Sequence, residues 1–289
     1  MSAPTTAWFR QIGSDRIDPL LVGLWISLVV VALIWIAPAL FIVFTSLKST
    51  ADVTATGAFS LPSEVELSNY ATAWERGRYN VTFLNSVIIT LVKVPLGLAL
   101  SAMAAYTLAR VRLPGSRLLF AAMIFGTMIP FQVMLAPLFT LVNSMGLLNT
   151  YVGVWLPYIA FGVPYQVFIL YGFFKEVPQE LSEAARIDGA SHFTTFRRIF
   201  LPISLPVLAA LLILDFVSTW NEFAMALVLL LDGKNWTLPL SLMAFQGQFG
   251  TDYGPLNAAI VTTVLPAVIV YLMFQRYFVG GLTAGAVKG

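Results

Sequence analysis

Long uncharged apolar runs alternate with short polar ones along this chain. No charge falls between Asp18 and Lys48, and none between Arg117 and Lys175. A helix needs about 20 predominantly apolar residues to cross the hydrocarbon core of a bilayer. The first run predicts a span over 20–44. The second is long enough for two, and the polar stretch 143–150 divides it into predicted spans over 118–142 and 151–173. The uncharged run before Arg276 predicts another over 256–275. Segments 83–109 and 203–231 are also apolar but interrupted, the first by Lys93 and the second by Asp215 and Glu222. Apolar residues flank each charge, so both are read as spans. The expected fold class is an all-α integral membrane protein with six transmembrane helices.

The basic residues set an orientation, because cytoplasmic loops carry an excess of Lys and Arg. With the N-terminus inside, eleven of the sixteen bases fall on the inner face, among them Arg110, Arg112, Arg117, Lys175, Arg197 and Arg198. Lys48, Arg76, Arg78 and Lys234 fall outside, and Lys93 lies within a span. Both termini are therefore expected in the cytoplasm. The organisation follows as a cytoplasmic segment 1–19, a transmembrane bundle 20–278 and a cytoplasmic tail 279–289. One large loop, 45–82, lies outside, with an interfacial helix expected near 70–76. The other, 174–202, lies inside.

Composition agrees with this picture and narrows it. Charged residues are 10% of the 289 and apolar residues 58%, too little polar surface to wrap a soluble domain, where about 25% are charged. A soluble enzyme and a disordered chain are excluded. A net charge of +2 also argues against a nucleic-acid partner. There is no cysteine and one histidine, His192, so neither disulfides nor a Cys or His metal cluster is expected. No G-x-x-x-x-G-K-[ST] phosphate loop and no Ser/His/Asp set occur, so no catalytic residue, cofactor or metal is assigned to this chain.

The inner loop is the most polar stretch. Pro178 suits a first helical position, where its missing N–H costs nothing, and 179–187 favours helix with acids leading and a base following. Gly189 can take positive φ as a helix stop. Ser191 is a good cap for a second short helix over 193–200, ended by Leu201-Pro202. Slim Ala184 and Ala185 would let the first helix enter a partner's groove. An ordinary solvated loop is the other reading, and helix physics alone leaves both open. His192 is read as a surface residue at such a contact rather than as a pH switch.

The spacing Glu183-Ala184-Ala185, three residues, Gly189, nine residues, Ile199-Phe200-Leu201-Pro202 resembles the EAA loop of the membrane subunits of binding-protein-dependent ABC importers. Phe83-Leu84-Asn85-Ser86, Met128-Ile129-Pro130, Trp220-Asn221-Glu222-Phe223, Trp236-Thr237-Leu238-Pro239-Leu240 and the final Gly281–Gly289 stretch are similar to maltose-type (MalG-like) carbohydrate permeases. The likeness runs from about residue 41 to the end. It implies a type I ABC importer permease (MetI-like) fold in a bacterial or archaeal cytoplasmic membrane. It implies as partners a sister permease in a heterodimer, two ATP-binding subunits that hold ATP and Mg, and an extracytoplasmic sugar-binding protein. Carried over by position, Glu183, Ala184, Ala185 and Gly189 would couple to the ATPase. Thr283, Gly285 and Lys288 would lie in a tail contact to it. The substrate implied is a mono-, di- or oligosaccharide.

Polar residues inside spans are expensive and face the interior, water or a partner. Lys93 and Asp215 both fall near mid-depth and are expected to form an intramembrane ion pair; substrate contact or a proton path is the alternative. Trp220, Asn221 and Glu222 near the outer end of the fifth span could stack on and hydrogen-bond a sugar, or serve as an interfacial anchor. A different class of function, a proton-coupled secondary transporter using Lys93, Asp215 and Glu222, also fits the charges.

Overall fold

The computed structural model describes residues 19–57, 59–111, 113–247 and 250–284, nearly all of them helical. Helix α1 (Pro19–Ser46) is apolar on every side and exposed over most of its length, with Thr45 and Ser46 its buried residues. Such a helix has lipid or another chain as its solvent. Two short helices follow, α2 (Thr50–Thr56) and α3 (Ser68–Arg76). They form a cap over one end of the bundle. Lys48 is fully buried beneath α2 and donates to the Gly57 carbonyl at 3.1 Å, a cation at a helix C-terminus where the dipole favours it. Asp52 accepts from the Ser63 amide at 3.1 Å and its hydroxyl at 2.9 Å. Those bonds hold its carboxyl below the usual value.

The centre of the bundle is α4 (Tyr79–Arg110) packed along α7 (Tyr151–Glu176). Gly97, Ser101, Ala102 and Ala105 keep the facing side of α4 small, which lets two membrane helices approach closely. The Ser101 hydroxyl donates across to Gln166 Oε1 at 2.7 Å, both residues being buried. Between these helices lie α5 (Ser116–Thr127) and α6 (Phe131–Ser144). After α7 come α8 (Gln179–Ile187), α9 (His192–Ile203), α10 (Leu205–Trp220), α11 (Ala224–Leu229) and α12 (Tyr253–Ala284). A 3-10 turn, Pro239–Phe245, and a two-strand hairpin, β1 (Gln246–Gly247) against β2 (Gly250–Thr251), precede α12.

Four helices are long and apolar enough to cross a membrane, and up to six segments do so if each bent pair is one span. The third expected span, 118–142, is not one helix. It divides into α5 and α6, which meet at 101°. Pro130 stands at the break as the N-cap of α6, itself outside the helical region with ψ 124°. The fifth expected span, 203–231, ends as a helix at Trp220. Asn221, Glu222 and Phe223 are unwound before α11. At its other end α10 meets α9 at 76°. The second loop helix also runs past its expected stop at Leu201-Pro202 to Ile203 through a π turn, Phe196–Phe200, in which the Leu201 N–H bonds the Phe196 carbonyl. Pro202 brings no N–H of its own.

Helix α12 closes the core by pressing its first turn into the cap. A Cβ on Gly254 would lie 2.5 Å from the Lys48 carbonyl oxygen and 2.7 Å from the Asn69 amide nitrogen. That amide is buried and donates to the carbonyls of Ser46 and Lys48 at 3.0 and 2.8 Å. Gly254→Ala should therefore cost about 1–3 kcal/mol, the range of overpacked cores, and lower the unfolding temperature of the detergent-purified protein. Gly23→Ala, where a Cβ meets nothing within 4 Å, should leave it unchanged.

Candidate functional site

Two places carry the polar groups that the sequence singles out. The first is the α8–α9 hairpin at the end of the bundle away from the cap. Pro178 is the N-cap of α8, one position before the helix proper. The C-terminus closes as a Schellman motif: the Ala190 N–H reaches the Ala185 carbonyl at 2.9 Å and the Gly189 N–H the Arg186 carbonyl at 3.1 Å. Gly189 sits at φ +79°, a conformation that a side chain disfavours. Ser191 then caps α9, its hydroxyl oxygen accepting from the Thr194 N–H at 3.2 Å.

Glu183, Ala184 and Gly189 are exposed, and Ala185 is buried. Gln179 holds the Glu183 carboxylate from one turn earlier, at 2.9 Å. His192 is exposed at the start of α9. Apolar side chains stand proud of the hairpin: Ile187 is 86% exposed and Phe193 64%. A groove of about 630 Å³ runs between α8 and α9, lined by Leu181, Ala184, Ala185, Gly189 and Ile199 among others. Arg186, Arg197 and Arg198 are exposed on the same hairpin.

What fastens this hairpin is Arg110, read from the sequence only as a basic residue of an inner loop. Its guanidinium donates to the carbonyls of Phe174 and Val177, where α7 ends, and lies 5.1 Å from the Phe200 ring centroid. Tyr106 packs beside it against Phe174, Phe196 and Phe200, with centroid distances of 6.4, 5.2 and 5.0 Å. One turn of α4 thus grips both ends of the hairpin. The tail residues Gly285 and Lys288 lie outside the described residues. The backbone of α12 runs through Thr283 to Ala284.

The second place is inside the bundle. Near the middle of α4 the Lys93 ammonium pairs with the Asp215 carboxylate of α10, both side chains less than a tenth exposed. They border a cavity of about 310 Å³ that also has Tyr158, Thr219 and Glu222 in its wall. Glu222 is not joined to that pair. Its carboxylate accepts from the Tyr158 hydroxyl and from the N–H groups of Met225 and Ala226, at 2.7 and 2.9 Å for the latter two. It serves as the cap of α11 across the unwound stretch.

Trp220 turns away from the cavity. It is 3% exposed, its Nε1–H donates to the Thr263 carbonyl of α12 at 2.9 Å, and Phe216 and Phe83 cover it at 5.7 Å each. It offers no open face to a sugar and no anchor to the headgroups. Asn221 is exposed and bonds back to the Val217 carbonyl at 2.9 Å. Among the described residues no three His, Asp or Glu side chains converge as a metal site.

Comparison with known proteins places this arrangement. Residues 97–283 match the family model described as binding-protein-dependent transport system inner membrane component. The chain is 38% identical over 281 residues to the diacetylchitobiose uptake system permease protein NgcG of Streptomyces coelicolor, covering 95% of this chain and 91% of that one. It is 37% identical to the trehalose transport system permease protein SugB of Mycobacterium tuberculosis, covering 87% and 92%. In fold it is similar to a chain from the crystal structure of a bacterial ABC transporter involved in the import of the acidic polysaccharide alginate. The TM-score is 0.78 at 24% identity, over 92% of this chain and 99% of that one.

The buried pair yields a prediction about the bundle. Breaking a buried ion pair from one side leaves an uncompensated charge and costs about 3–5 kcal/mol, whereas replacing both members by apolar residues is often neutral. Lys93→Met alone should lower the thermal stability of the purified complex sharply. Adding Asp215→Leu should recover most of the loss, as read by a double-mutant cycle of unfolding temperatures.

Proposed function

The chain belongs to the family of binding-protein-dependent transport system inner membrane components, and we propose that it is the permease subunit of an ATP-driven sugar importer. It is a multi-pass protein of the cytoplasmic membrane. Membership implies, in general, a partner permease, an ATPase and a binding protein. In the proposal the partner permease is a different chain, so the two form a heterodimer. Two ATP-binding subunits carry the hydrolysis, with ATP and Mg on them and none here. An extracytoplasmic binding protein delivers a mono-, di- or oligosaccharide. The substrate class rests on the relatives, which are uptake permeases named for sugars such as diacetylchitobiose and trehalose. No comparison points to a proton-coupled carrier.

The observation that carries the coupling role is the projecting hairpin clamped by Arg110. A hairpin with slim Ala184 exposed on α8, and with Ile187 of α8 and Phe193 of α9 projecting from it, is shaped to enter a groove on another protein. The clamp joins it to the membrane bundle through a guanidinium held by two carbonyls. Glu183, Ala184, Ala185 and Gly189 are the proposed contacts to the ATPase, and the tail through Thr283, Gly285 and Lys288 a second one. In the proposal the hairpin and both termini lie in the cytoplasm, a reading that the bias of the basic residues supports. ATP-driven closure below would then switch the bundle between inward and outward access.

The test is reconstitution of the complete transporter with its binding protein, followed by uptake of labelled trehalose, diacetylchitobiose and arabinooligosaccharide. ATP-dependent uptake of at least one is expected. Uptake of none, with the assembled complex intact, would refute the sugar reading. Gly189→Val puts a β-branched residue at positive φ, a strain of about 1–3 kcal/mol. It should lower both uptake and binding-protein-stimulated ATP hydrolysis by about tenfold, the effect of some 1.4 kcal/mol. Normal stimulation in Gly189→Val and in Glu183→Ala would remove the hairpin from the coupling path.

A further inference from the structure

At the end of the bundle away from the cap, another cavity opens between the last turn of α4 and helix α8. It measures about 850 Å³, within the range of small-molecule pockets. Arg110 from α4, Ser116 from α5, Lys175 from α7, Arg186 from α8 and His192 from α9 all border it.

Three of these groups are cations at neutral pH, and none has a carboxylate within 4 Å. The ion pairs formed among the described residues are Arg76 with Asp252 and Lys93 with Asp215. Arg110 is held by carbonyls and the Phe200 ring, and Lys175 lies 5.5 Å from the Tyr171 ring centroid. Neither kind of contact cancels a charge. The acid in the wall is Glu183, whose carboxylate Gln179 holds at 2.9 Å. Three cations against one carboxylate leave the cavity positive. The start of α5 adds to this: Ser116 is its first residue, and the N-cap Gly115 supplies no side-chain oxygen to its N–H groups. That end of a helix favours an anion.

The position of the cavity selects the kind of anion. Helices α4 and α7 are both long and apolar enough to cross a membrane, and both end here, at Arg110 and Glu176. The cavity therefore lies at the level where hydrocarbon gives way to headgroups. Leu113 on its border is 40% exposed, and Leu118 and Leu119 in the first turn of α5 are 75% and 56% exposed. An apolar surface thus runs from the cavity onto α5, which is half of a bent span. A soluble phosphate would use the cations alone. A phospholipid uses both features, with its phosphate among the cations and its chains along α5. Basic pockets between membrane helices bind anionic headgroups on this principle.

We propose that this cavity binds the headgroup of an anionic phospholipid, with Lys175 and Arg186 as the phosphate-binding groups and Arg110 adding its charge. The proposal goes beyond the importer reading and does not depend on the solute carried.

The test uses the complete transporter, purified in detergent and titrated with phosphatidylglycerol or phosphatidylcholine, with bound lipid counted by native mass spectrometry. Phosphatidylglycerol should be retained several-fold more tightly. Lys175→Gln with Arg186→Gln should weaken it about fivefold for each cation removed. Arg197→Gln with Lys234→Gln, which removes as much charge away from the cavity, should leave it unchanged. Ser116→Glu adds a carboxylate at the α5 end, keeps every cation and should weaken it as well. Glycerol 3-phosphate, which lacks acyl chains, should compete far more weakly than phosphatidylglycerol. Equal retention of the two lipids by the wild-type complex would overturn the proposal. So would unchanged affinity in the Lys175/Arg186 variant, or equal loss in the Arg197/Lys234 variant. Displacement by glycerol 3-phosphate as effective as by the lipid would also overturn it, and would assign the cavity to a soluble phosphate.

Discussion

Hydrocarbon offers no hydrogen bonds, so every polar group inside this bundle must find its partner in protein. The departures from plain helices obey that constraint. Where the chain unwinds at Asn221–Phe223, the freed N–H groups of Met225 and Ala226 meet the Glu222 carboxylate. Where α7 ends, the carbonyls of Phe174 and Val177 meet the Arg110 guanidinium. The signs are those that the helix dipole favours, an anion at an N-terminus and a cation at a C-terminus. Between side chains, the Lys93 ammonium meets one oxygen of the Asp215 carboxylate. The few charges inside the bundle are therefore its joints.

Three of these joints lie along α4. Lys93 ties it to α10, Ser101 ties it to Gln166 of α7, and Arg110 ties it to the end of α7 and to the ring of Phe200. The first lies at the cavity and the last at the hairpin, so one continuous helix joins the two places. The hairpin is stiff in its own right, because the Schellman closure at Gly189 and the Ser191 cap leave little freedom between α8 and α9.

How much of this was legible in the sequence depended on the range of the interaction concerned. The apolar runs were legible because a bilayer acts on average composition over some twenty residues. Helix α8 was legible residue by residue, since its acids, its Gly189 stop and the Ser191 cap act within one turn. The breaks at Pro130 and Asn221 were not, because averaging over a span hides them. Proline alone does not mark a break either: Pro38, Pro95, Pro137, Pro157, Pro164 and Pro266 all lie inside continuous helices. Arg110 looked like one more inner-face base because its partners are 64 and 67 residues away. Trp220 looked like a sugar platform or an interfacial anchor, and only the packing of α10 on α12 decides which way it turns.

The ion pair raises a question that stability does not answer. A buried pair is no more stabilising than two well-packed apolar residues, and α4 and α10 have apolar surface enough to pack without it. What the pair adds is position: each charge is tolerable at that depth only while its partner stands opposite, so Lys93 and Asp215 admit one alignment of α4 against α10 where apolar surfaces would tolerate several. The charge is thus better explained by the alignment it imposes than by what it adds to the packing of the bundle.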